Sequence, residues 1–194
     1  MNSPETEKII NSLIDTFIDS GNLSLNLRKK GLEKKIKSDN TSVTNADIEV
    51  NKLITEKISN LTPNIKIVSE ETTSNKENTV LNDFWLIDPI DGTHGYIHGK
   101  DEFTINAALI LNKKPVAGII NAPDKGRLFY SFGCSNSFEI NRGAKTKLTC
   151  KKKSKKNEIK AVSYSNILKP EIAELHKKFN IRIFTKMKSS LKFC

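Results

Sequence analysis

Apolar residues recur near the start of the chain at Ile9, Ile10, Leu13, Ile14, Phe17 and Ile18. That three-and-four spacing is one face of an amphipathic helix. It predicts a helix over Glu5 to Leu27, with Gly21 as a stop and a second helical stretch over Asn22 to Lys30. After the polar run KSDNTS, the segment NADIEVNKLITEKISNL places apolar residues at Ile48, Leu53, Ile54 and Ile58, a further helix. Thr44 or Asn45 can cap it, which puts Asp47 in its first turn with its carboxylate pointing outward from the helix end. Pro63 closes the region.

From there the period shortens. NIKIVSEE reads as a strand ending in two glutamates, SNKENTVLND as a polar connection, and FWLID as a strand apolar until Asp88. FTINAALIL, PVAGIINAP and GRLFYSF follow as consecutive strands, with turn residues at Asn112–Lys114 and Pro123–Gly126. SFEINRG and AKTKLTC form a shorter pair. The charge run KKKSKKNE, Lys151–Glu158, separates these from KAVSYS, KPEIAELHKKF and IRIFTK, a strand-helix-strand order. The expected domains are therefore 1–157, an α+β unit, and 158–194, the start of an α/β subdomain.

Composition narrows the function classes. Net charge is +10, yet only 4 of the 32 basic residues are Arg, the residue whose planar fork reads phosphates and base edges. A solvated Lys-rich surface is expected, with no nucleic-acid partner. Cys134, Cys150 and Cys194 have no metal-type spacing and leave an odd thiol, as in a reducing compartment. His94 and His98 sit four apart, but no third soft ligand accompanies them, so a zinc site is not expected there. No apolar run reaches the length of a bilayer span. The expected location is the cytoplasm, with peripheral attachment at the inner membrane face left open.

The stretch DPIDGTHG at 88–95 carries the chemistry. Asp88 and Asp91, with the Ile90 carbonyl between them, offer three oxygens from one loop that Pro89 stiffens. If the VSEE and FWLID strands are neighbours, Glu70 and Glu71 meet those acids at one edge. Crowded carboxylates must bind protons or cations, and a hard divalent cation such as Mg²⁺ takes oxygen ligands. Gly92 and Thr93, opening a helix, present N–H groups suited to phosphate. A solvated acidic turn is the plainer reading of the spacing; Glu70 and Asp47 weigh against it.

WLIDPIDGT closely resembles the signature of the inositol monophosphatase superfamily. KSDNTSVTNAD (37–47) is similar to that family's Lys-x-Asp…Thr-x-Ala-Asp element, and VSEE (68–71) to its Glu-Glu element. EFTINAALILNKKPVAGIINAP and SSLKFC resemble the CysQ branch, the 3′(2′),5′-bisphosphate nucleotidases. The resemblance implies a layered αβαβ sandwich of the sugar-phosphatase type and Mg²⁺-dependent, lithium-sensitive hydrolysis of phosphomonoesters with two or three metal ions. It assigns Glu70, Asp88, Ile90 and Asp91 to metal. Asp91, Gly92 and Thr93 would receive phosphate, and Ser189 and Lys192 the nucleotide. Glu70, Thr93 and Asp47 would prepare the attacking water. The implied reaction converts adenosine 3′,5′-bisphosphate to AMP and phosphate, in sulfur assimilation or nucleotide salvage. Family members often form homodimers, which no residue here derives.

Two positions depart from the branch. His94-Gly95-Tyr96-Ile97 replaces a charged pair followed by Phe-Ile, and Asn166 stands where the Ser-x-Ser-His element has His. The family's later Trp-Asp element, whose aspartate completes a metal site, has no counterpart, because Trp85 belongs to the first signature. The sequence is thus expected to be a C-terminally truncated form with an incomplete C-terminal part and weak or absent catalysis. The alternatives are inositol monophosphatase or histidinol-phosphatase activity, or a catalytically impaired fragment.

Overall fold

The computed structural model describes residues 3–37, 40–72, 81–149, 159–163 and 165–194. The Lys151–Glu158 run, most of the polar connection at 74–83, Asp39 and Cys150 lie outside them.

Helix α1, Ser3–Lys30, is continuous. The expected break at Gly21 does not occur, because this glycine serves packing. A Cβ there would come 2.5 Å from Asn121 Nδ2 and 3.0 Å from Pro123 Cγ. Asn121 Nδ2 donates to the Phe17 carbonyl at 2.6 Å, so a strand end is drawn directly onto the helix backbone. The hairpin of β1 (Lys34–Ile36) and β2 (Ser42–Thr44) leads into α2, Asn45–Leu61. Its buried face is Ala46, Val50, Ile54 and Ile58, while Ile48, expected on that face, is exposed. The four-residue step from Ala46 is the row that meets the sheet.

The main sheet has seven strands in chain order: β3 (Lys66–Ser69), β4 (Phe84–Asp91), β5 (Thr104–Leu111), β6 (Lys114–Ala122), β7 (Arg127–Phe132), β8 (Ser137–Asn141) and β9 (Ala144–Leu148). Only β3 and β4 are parallel; every other pair is antiparallel. Alternation on these strands sends Trp85, Ile87, Ile105, Leu109, Ile119 and Tyr130 into one core with Ile10, Leu13 and Phe17 of α1 and the buried row of α2. Trp85 Nε1 donates to Thr62 Oγ1 at 3.0 Å, satisfying the indole where the chain leaves α2. Between β4 and β5 lies a five-residue helix, α3, Thr93–Ile97.

The expected strand-helix-strand order at the end is present. β10 (Lys160–Ser163) pairs in parallel with β11 (Ile183–Lys186), and α4 (Pro170–Lys178) connects them. A 3₁₀ turn, Ser190–Phe193, follows. No helix among the described residues is long and apolar enough to cross a membrane.

Candidate active site

Parallel pairing of β3 with β4 makes both strands deliver their acids to the same sheet edge. Glu70 N–H donates to the Ile87 carbonyl at 3.2 Å, which sets Glu70 beside Asp88. The β4–β5 register then shifts between Asp88 and Asp91, a bulge that lifts Pro89 and Ile90 out of the regular ladder. Gly92 turns the chain at φ 93°, a backbone state that favours glycine, and α3 starts at Thr93.

Asp47 behaves differently from the outward-pointing acid expected of the first turn of α2. It is buried, and Oδ2 accepts from Thr44 N–H at 2.8 Å and Thr44 Oγ1 at 2.5 Å. The carboxylate thus closes the helix cap on its own chain. Its other oxygen, Oδ1, lies 3.4 Å from Thr93 Oγ1. The Thr93 hydroxyl has one hydrogen and a shorter contact, 2.9 Å, to the Ile90 carbonyl. That carbonyl keeps a second lone pair.

Asp88 has the sharpest electrostatic conflict. Its Oδ1 is buried without a hydrogen-bond partner. Burial, then the charges of Asp91, Glu70 and Asp47, push its pKa up to about 8. Asp47 is raised as well, by burial first and with Glu70 contributing, against the bonds from Thr44.

Two cationic and hydroxyl partners that the sequence reading left without a role hold the remaining acids. Lys37 Nζ donates to Glu71 Oε1 at 2.9 Å and Glu70 Oε1 at 3.3 Å. Burial works to lower the Lys37 pKa, but the bonds and charges of Glu71 and Glu70 outweigh it and the net shift is upward. Ser190, at the start of the terminal 3₁₀ turn, reaches Asp91 Oδ2 through both its N–H and its Oγ, the latter at 2.7 Å. Thr104 Oγ1 adds a third donor at 3.3 Å, and Asn106 Nδ2 bonds Ser190 Oγ at 3.2 Å. Lys37 lies in KSDNTS and Ser190 in SSLKFC, so both stood inside recognisable stretches. Their partners, however, lie 33 and 99 residues away in sequence.

Ser189 lies close to Gly92, where an added Cβ would meet Ser189 Cβ at 3.6 Å. Its Oγ caps the 3₁₀ turn by accepting from Leu191 N–H at 3.3 Å, and Lys192 Nζ donates to the Ser189 carbonyl at 3.0 Å.

The residues suit a hard cation by donor chemistry: three carboxylates and a carbonyl, all oxygen, around an orphaned buried carboxylate oxygen. No three His, Cys, Asp or Glu side chains among the described residues yet close around one point. Glu70 is turned to Lys37, and one oxygen of Asp91 is committed to Ser190 and Thr104.

The model of the inositol monophosphatase family matches residues 7–194. The chain belongs to that family. Family membership implies use of a divalent metal. A 3′(2′),5′-bisphosphate nucleotidase CysQ of Haemophilus influenzae is 33% identical over 145 residues, 74% of this chain and 54% of that protein. The CysQ of Buchnera aphidicola is 34% identical over 167 residues, 86% of this chain and 62% of that protein. The chain therefore spans a little over half the length of these curated relatives. Among solved structures, CysQ from Bacteroides thetaiotaomicron superposes with a TM-score of 0.71 at 24% identity, covering 97% of this chain and 75% of that one. A lithium-soaked inhibitory complex of Staphylococcal inositol monophosphatase-1 gives 0.74 at 16% identity, over 97% and 69%. These likenesses establish the layered fold expected from the sequence.

Proposed function

We propose that this chain carries the site of a Mg²⁺-dependent phosphomonoesterase acting on a nucleotide 3′-phosphate, with adenosine 3′,5′-bisphosphate as substrate and AMP and phosphate as products. The observation that carries the reading is Asp88: a buried carboxylate oxygen with no partner, between Glu70 and Asp91. Such a group needs a proton or a cation, and the family supplies the cation. Glu70, Asp88, the Ile90 carbonyl and Asp91 would hold Mg²⁺. When bound, it would neutralise phosphoryl charge and ease deprotonation of water.

The chain's own groups account for the remaining tasks. Gly92 and Thr93 open the turn where the phosphate would sit. Thr93 Oγ1, between Ile90 O and Asp47 Oδ1, orients the water. Glu70, the most exposed of these acids, accepts its proton. Water oxygen then bonds to phosphorus, the P–O ester bond breaks, and the leaving oxygen takes a proton from solvent. Ser189, beside Gly92, and Lys192, whose Nζ donates to the Ser189 carbonyl, would meet the nucleotide. The relatives' names favour the nucleotide over inositol phosphate. A cytoplasmic protein and inhibition by lithium follow from the same reading.

Phosphate release from adenosine 3′,5′-bisphosphate and from inositol monophosphate, with and without Mg²⁺, tests it. Release that favours the nucleotide, needs Mg²⁺ and disappears in Asp91→Asn supports the proposal. Preference for inositol monophosphate overturns the substrate assignment, and release that persists in Asp91→Asn overturns the site.

A further inference from the structure

Two imidazoles stand at α3, His94 within it and His98 at its C-cap, outside the carboxylate cluster. His94 and His98 are both exposed, and their ring centroids are 4.5 Å apart with the planes tilted by 35°. Four residues of separation on a helical turn place both rings on one side. His98 Nδ1 lies 2.7 Å from the His94 carbonyl oxygen. A carbonyl only accepts, so Nδ1 carries the ring hydrogen and the lone pair of neutral His98 is left on Nε2. Anchoring one ring nitrogen on backbone oxygen is the arrangement that orients metal-binding histidines through the other.

We propose that His94 and His98 form a bidentate site for a borderline-soft divalent cation of the Zn²⁺ or Ni²⁺ class. Imidazole nitrogen suits these ions, whereas Mg²⁺ prefers oxygen, so this site and the carboxylate site select different cations. Paired histidines four apart on a helix are a recurrent zinc-binding spacing. Spacing alone argued against zinc because no third ligand was visible. Indeed, among the described residues no third His, Cys, Asp or Glu closes with them around one point. The geometry adds the shared side and the fixed tautomer, and water fills the remaining positions. The resulting site is weaker than a four-ligand structural one. A cation bridging the two rings locks the turn from His94 to His98, immediately after Thr93. The site stands independently of the phosphatase reading.

Calorimetric titration of the whole chain with Ni²⁺, in a large excess of Mg²⁺, tests this directly. The expected result is one Ni²⁺ per chain, with affinity reduced at least tenfold in His94→Ala and in His98→Ala. His176, which packs against Phe184, is the control: His176→Ala leaves binding unchanged. No binding, or binding equally tight in the His94→Ala and His98→Ala variants, overturns the proposal. Ring-proton NMR of the unsubstituted chain gives a second readout that no folding defect can confound. Ni²⁺ then broadens His94 and His98 together at the lowest additions; broadening of His176 alone overturns the site.

Discussion

Lys37 Nζ bridges two adjacent glutamates, lying 2.9 Å from Glu71 and 3.3 Å from Glu70. The two contacts are unequal in setting. The Glu71 side chain is 8% exposed and the Glu70 side chain 49%. Lys37 is therefore anchored on Glu71 and holds Glu70 by a contact that solvent screens.

Replacing Lys37 by Met leaves the Glu71 carboxylate buried without its partner. We expect a loss of about 1–3 kcal/mol of folding stability in the metal-free chain, measured by urea unfolding in EDTA. The same change frees Glu70 and removes a positive charge from the cluster. Divalent-metal affinity should rise several-fold, measured by Mn²⁺ titration. Weaker Mn²⁺ binding in Lys37→Met would mean that the lysine supports the site instead of competing for it.

The raised pKa of Asp88 fixes the sign of a pH effect. Its folded value, about 8, stands above the ordinary carboxylate value, so the folded state binds the proton more tightly than the unfolded chain does. The stabilisation is complete below pH about 4 and is lost as pH rises toward 8. Asp47 is shifted in the same direction. Thermal melts in EDTA should therefore fall between pH 5 and 8, and Asp88→Asn should flatten that fall. A melting temperature that climbs across this window would contradict the assignment.

Gly21→Ala should destabilise the protein by about 1–3 kcal/mol through overpacking, although Ala favours an exposed helix by about 1 kcal/mol. The new methyl meets Asn121 Nδ2 and displaces its bond to Phe17. Chemical denaturation decides it, and a stabilised variant would show that the helix and strand end can separate without cost.

Ser190→Ala removes one of the two Ser190 donors to Asp91 and the acceptor of Asn106 Nδ2, leaving the Ser190 N–H in place. The expected consequence is faster amide exchange in residues 189–194 and at Asp91, with the α1–sheet core unchanged. Uniform loss of protection across the chain would point instead to a global role.

The strands of the main sheet and their order were legible because turn residues separate them and each pairs with its successor, whereas the β1–β2 hairpin was not, since KSDNTS reads as a polar run. The acids of VSEE and DPID were legible as neighbours at one sheet edge for the same reason: β3 and β4 pair. What escaped the sequence was non-local. Gly21 looked like a stop because its reason lies in Asn121, a hundred residues on. Asp47 looked outward-facing because its cap bonds to Thr44 compete with solvent only once α2 is packed. Ile48 looked buried because helical spacing alone cannot say which row of α2 meets the sheet. Ser190 could not be paired with Asp91 from spacing at all.

The Asp88 edge is proposed as a hard-cation site, and a calorimetric Mg²⁺ titration of the 194-residue chain beside its Asp88→Asn variant tests that assignment. Mg²⁺ should bind the unaltered chain with release of a proton at neutral pH, and at least tenfold more weakly after the substitution. Equal binding by both chains, or none by the unaltered one, would contradict it.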